Sequence, residues 1–188
     1  MPVWTDLLME PSREQSISLL ARTPAELDTL LRDLPAPLAD ATEGEGTWTI
    51  PVILSHLIHG ERTDWIPRAQ MILEWRETRT FEPFDMHAHI EHARSKSIEQ
   101  LLDEFALTRA ESLEQLHAMN LGAVDLELRG RHPAFGSVTL SQLLATWAAH
   151  DLTHLHQLSR VLAQPYREAV GPWSAYLGVL HCSGSRAS

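Results

Sequence analysis

Trp147-Ala148-Ala149-His150-Asp151-Leu152-Thr153-His154-Leu155-His156-Gln157 is the stretch whose reading decides the fold. Side chains four apart on a helix lie on one face, so as helix it places His150 and His154 side by side. The helix opens at Thr139-Leu140-Ser141-Gln142, a capping box, and the apolar spacing carries it to about Ala163. Its stripe is Leu143, Trp147, His150, His154, Leu158 and Val161. His156 falls nearly opposite His154, toward solvent. Two adjacent histidines on an apolar stripe need partners, because buried ring nitrogens still require hydrogen bonds or a metal.

Working outward, three more capping boxes mark helix starts, at Ser12–Gln15, Thr23–Glu26 and Ser97–Gln100. The first two predict a first helix broken near Arg22, with Leu27, Leu30, Leu31 and Leu34 facing a core. Pro35, Pro37, Gly44 and Gly46 make residues 34–47 a connection. A second helix opens at Thr49-Ile50-Pro51 and runs through Trp65, past a bend at Pro67, to about Glu74. On its wheel Val52, His56, Gly60 and Thr63 share a face opposite Leu54 and Trp65, and Gly60 leaves room beside His56 or admits a close helix contact. The third helix spans Ser97 to about Met119. Its apolar side is Ile98, Leu101, Leu102, Phe105, Leu113 and Leu116, with Glu99, Glu104, Glu111 and Glu114 solvated.

The stretches between are read as irregular. Residues 76–94 carry Phe81, Phe84, His87, His89 and His92 with no clear period, and are expected to cover the end of a bundle. His87 and His89 are not expected to form a metal clip, because no carboxylate or thiol pattern beside them completes a site. Residues 120–137 are polar and turn-rich, a long crossover around Arg129-Gly130-Arg131-His132-Pro133. Residues 171–177 predict a short final helical turn, and residues 183–188 a frayed end.

The expected architecture is therefore all-α: a four-helix bundle occupying about residues 12–180 of a single domain, 1–188. The inward histidines, His56 on the second helix and His150 with His154 on the fourth, make a three-nitrogen set that leaves coordination positions open for water or substrate. Zinc, nickel, iron and copper all accept such a set.

Composition narrows the function classes. In 188 residues, 44% hydrophobic and 21% charged, 25 acidic side chains face 15 basic ones, for a net charge of -10. The basic residues form no stripe, which argues against nucleic acid. Neither a leader-like start nor an apolar run of membrane-spanning length is present, so a cytoplasmic protein without a membrane partner is expected. One cysteine, Cys182, excludes an internal disulfide and a Cys-rich zinc site.

Trp48 to Leu57, Arg131 to Leu140 and Trp147 to Gln157, in that order and on that helix pattern, resemble the DinB-like superfamily. The resemblance extends from about residue 12 to residue 180. It implies an up-down-down-up four-helix bundle, frequently a homodimer, with a metal held by three histidines that fall on His56, His150 and His154. Related iron-binding domains of sulfoxide synthases carry His-x-x-x-His-x-Glu, and His156 stands where that glutamate would be. Thiol-dependent transferases and isomerases among the relatives imply a small-molecule substrate, a low-molecular-weight thiol, and an ion that activates it. Two further readings stay open: a metal-dependent hydrolase with Glu61, Asp64 or Asp151 as base, and a non-enzymatic metal or small-molecule binding protein.

Overall fold

The computed structural model describes residues 12–85 and 87–182, so the expected fraying of 183–188 lies outside the described residues. The helices are α1 (Arg13–Leu20), α2 (Thr23–Leu31), α3 (Ala36–Ala39), α4 (Ile50–Gly60), α5 (Ile66–Trp75), α6 (Ala88–Arg94), α7 (Ile98–Ala118), α8 (Ala123–Leu126) and α9 (Leu140–Ala163). The pair α1–α2, the joined α4–α5, α7 and α9 build the four-helix bundle. Among the described residues no helix is long and apolar enough to cross a membrane.

Three of the four capping boxes form. Ser12, Ser97 and Thr139 each accept from the backbone amide three residues on, while Gln15, Gln100 and Gln142 reach back to the cap. Thr23 differs. It lies inside α2, and its hydroxyl donates to Asp151 Oδ2 at 2.6 Å, so a tertiary bond replaces the expected cap.

The second helix holds a surprise at Glu61–Trp65, a π-helical turn that joins α4 to α5. A π turn fits one residue more than an α turn, so positions beyond it are rotated relative to a straight wheel. This corrects the expected placement of Trp65 opposite His56. The indole instead stacks on Trp147, with ring centroids 5.8 Å apart, and sits edge-on to His150 at 5.2 Å.

Two stretches read as irregular are ordered. Residues 88–94 form α6, which buries His89 and Ala93. The crossover contains a hairpin of β1 (Arg129–His132) and β2 (Gly136–Thr139), antiparallel with Gly130 opposite Val138. Phe81 N–H donates to the Arg131 carbonyl at 2.9 Å, anchoring the hairpin on the chain after α5. Gly130 is required there: a Cβ would stand 2.6 Å from both Ile72 and Phe81.

The buried apolar residues divide into two clusters. One joins Leu20, Trp65, Ile66, Ala69, Ile72, Leu116, Leu140, Leu144 and Trp147; the other joins Leu27, Leu31, Ile50, Ile53, Leu54, Leu57, Leu101, Phe105, Leu158 and Val161. Each long element of the bundle passes from one cluster to the other through buried polar residues. These are Thr23 on α2, His56 and Glu61 on the second helix, Thr108, Arg109 and Ser112 on α7, and Asp151 and His154 on α9. The histidines of interest lie in this polar layer.

Candidate metal centre

His56 is carried by α4, whose entry is fixed by extended Thr49 and by Pro51 in the first turn, where a missing N–H costs nothing. His150 and His154 are carried by α9, one turn apart. The three rings meet. His56 Nε2 lies 3.0 Å from His150 Nε2, and His154 Nε2 lies 3.1 Å from the same atom. One nitrogen from each of the three falls within 4.8 Å of the others. His56 and His154 are each 8% exposed, and His150 is half-buried.

These spacings suit an ion. Nitrogens about 2.0–2.1 Å from a common metal stand roughly 2.9 Å apart across a right angle and roughly 3.4 Å apart in a tetrahedron. Hydrogen bonds among the rings alone leave polar atoms over, since Nδ1 of both His56 and His150 is buried without a partner among the described residues. His154 is oriented from behind. Its Nδ1–H donates to Gln157 Oε1 at 2.8 Å, which leaves the Nε2 lone pair directed at the other two rings. Burial, then the neighbouring rings, pushes His56 down to about 2 and His150 to about 3, and burial also lowers His154. All three are therefore neutral at pH 7, the form that ligates.

Aromatic rings wall the site. Trp48 lies against His56 at 5.0 Å and parallel to His154 at 6.3 Å, while Phe84 stands edge-on to His56 at 5.1 Å. Gly60 serves a different neighbour from the expected one, for a Cβ there would meet the Trp65 indole nitrogen at 3.3 Å. The glycine thus seats Trp65, which in turn packs on His150.

A family model for the DinB superfamily matches residues 19–158. The chain belongs to the DinB superfamily. No curated protein matches it in sequence. Its fold is similar to that of YfiT from Bacillus subtilis, with a TM-score of 0.64 and 21% identity over 85% of this chain and 91% of that one. YfiT is described as a probable metal-dependent hydrolase with an unusual four-helix bundle topology.

In this DinB-superfamily chain the layer behind the histidines is held by Arg109, which the sequence reading did not single out. Its guanidinium takes Asp151 in a two-point grip, Nη1 to Oδ2 at 2.7 Å and Nη2 to Oδ1 at 2.9 Å, and also donates to Glu61 Oε1 at 2.8 Å. The Trp147 indole N–H donates to the same Glu61 oxygen at 2.9 Å. Arg109 also donates to the Leu20 carbonyl at 2.8 Å, so one side chain, 1% exposed, ties together α1, the π turn, α7 and α9. Asp151 is thus a framework residue beside His150. The available signal was an arginine at an apolar position: Leu101, Phe105, Arg109, Ser112 and Leu116 follow helical spacing.

The remaining histidines separate by position. His156 is exposed and accepts from Arg160, as its place on the wheel predicts. His132 stacks on Phe135 in the hairpin, and His92 pairs with Glu104, which also takes Arg62 and Lys96 and is half-buried where solvent was expected. His59 lies against Phe84 at the end of α4, and His89 of α6 lies edge-on to His56 at 5.1 Å.

Proposed function

We propose that the chain is a metal-dependent enzyme in which His56, His150 and His154 hold one divalent transition ion, zinc, nickel or iron, and that its reaction is thiol transfer to a small electrophile. The observation that carries this is the approach of three neutral imidazole nitrogens to 3.0 and 3.1 Å in a buried layer. When bound, such an ion lowers the pKa of a thiol or water at its open position. The carboxylates weighed as bases all have other partners: Asp151 and Glu61 pair with Arg109, and Asp64 pairs with Arg68 at 2.7 Å. A thiol, with a pKa of about 8.5, needs far less help to ionise than water does. The site thus favours a nucleophile that requires no carboxylate base.

Hydrolysis is the second reading, supported by the likeness in fold to YfiT. Either way the substrate is small, since His56 and His154 are buried and His150 is half-buried. A low-molecular-weight thiol as substrate supports a cytoplasmic activity, where thiols are kept reduced. Half-exposed Leu152 on α9 supports a homodimer.

Metal analysis of protein purified without a nickel column is expected to find one ion per chain, lost in His154→Ala and retained in His156→Ala. Turnover of low-molecular-weight thiols with electrophiles, abolished in His154→Ala, supports the transferase. Ester or amide turnover without added thiol supports the hydrolase. A loaded protein inert to both is a metal binder, and wild-type protein that takes up no ion removes all three readings.

A further inference from the structure

We propose that His89 is the side chain that receives a small anion at the three-histidine centre, donating a hydrogen bond to the part of that ligand not bound to the ion. The inference rests on the metal-site reading above. His89 is 1% exposed, and neither of its ring nitrogens has a partner among the described residues. A neutral imidazole always carries one N–H donor and one lone pair, and buried groups of this kind are almost always satisfied in a native protein. His89 is positioned to find its partner in a visitor.

Its location specifies which visitor. The ring stands edge-on to His56, centroids 5.1 Å apart, and edge-on to Trp48 at 4.9 Å. Trp48 in turn covers both His56 and His154. His89 therefore shares a wall with the triad yet lies outside the group whose nitrogens converge within 4.8 Å. His59 packs on Phe84, which also touches His56, and its own Nε2 is buried and unpartnered among the described residues. Imidazole N–H donors set among tryptophan and phenylalanine rings suit a small anion, such as a thiolate-bearing or carboxylate-bearing molecule, better than a cation. The sequence gives α6 no other evident reason to bury a histidine: Ala93, one turn on, is the only other residue that helix buries.

The test uses the full chain loaded with cobalt(II), titrated with azide and followed by visible absorption. His89→Phe keeps the ring and removes both nitrogens; His89→Gln keeps a donor and an acceptor. The expected result is unchanged cobalt(II) affinity in both variants. Azide affinity should fall roughly tenfold in His89→Phe, the size of one lost hydrogen bond, and largely recover in His89→Gln. Equal azide affinity in wild type and His89→Phe overturns the proposal. So does a wild-type spectrum that azide leaves unchanged, and so does cobalt(II) affinity that collapses in His89→Phe, which makes His89 a ligand. Wild-type protein that binds no cobalt(II) overturns the metal reading itself, a separate failure. Should His89→Phe not fold, nitrogen NMR of the zinc-loaded wild type decides: azide is expected to shift a His89 ring resonance, and an unmoved pair of resonances overturns the proposal.

Discussion

At the scale of single residues, Arg109 shows how a charge can organise an apolar bundle. Removing one member of a buried ionic group strands its partners, at a cost of about 3–5 kcal/mol, whereas the intact group adds little net stability. Arg109→Met is therefore expected to lower the urea midpoint strongly, because Glu61 and Asp151 would face each other unpaired. Arg109→Lys, which keeps the charge but loses the two-point grip on Asp151, should fall between. Equal midpoints for wild type and Arg109→Met would refute the framework role. The histidines make a second prediction. His56, His59, His89, His132, His150 and His154 all have pKa values lowered chiefly by burial, to about 2 for His56 and about 3 for His150. In the unfolded chain each protonates near 6.5. The unfolded state then binds more protons as pH falls, so their contribution is complete above about pH 6.5 and is lost progressively below it. Burial raises Glu61, and Asp64 to about 6, which acts in the opposite sense. The histidines outnumber them. Metal-free protein is expected to show a lower urea midpoint at pH 5 than at pH 7, and a midpoint that rises on acidification would contradict this.

At the scale of elements, what could be read from the chain depended on length and regularity. The 24-residue α9 is uninterrupted α-helix, so a wheel at about 100° per residue put Trp147, His150, His154 and Leu158 on one face and His156 on the other. The same wheel failed past Gly60, because the π turn inserts a residue that no local pattern announces. Thr23 has the cap sequence but is claimed by Asp151, 128 positions away. The β1–β2 strands have four residues each, too few for an alternation to stand out, and α6 has seven. The hairpin also carries a prediction. Gly130→Ala brings a methyl within 2.6 Å of Ile72 and Phe81, and such overpacking costs about 1–3 kcal/mol. Thermal unfolding should register it. Because the clash falls in the apolar cluster and not among His56, His150 and His154, metal content should stay at the wild-type level; a variant as stable as wild type would show the hairpin to be loosely seated.

For the whole molecule, the bundle was legible because four apolar stripes of helical period need one another for burial. The candidate ligands were legible because His56, His150 and His154 interrupt those stripes. The division of the interior into two apolar clusters was not, since it depends on Thr23, Glu61, Arg109 and Asp151 meeting at one level, a long-range coincidence. That division bears on folding cooperativity. Two apolar blocks separated by a polar seam are natural candidates for separate unfolding units, and an ion gripped by α4 and α9 would act as a rivet across the seam. Exciton-coupled circular dichroism of the stacked Trp65–Trp147 pair, in one block, and helical circular dichroism, averaged over both, should trace a single coincident urea transition in loaded protein. After chelation the two signals should part, the less stable block melting first, so that occupancy of the centre is written into the shape of an unfolding curve and not only its midpoint.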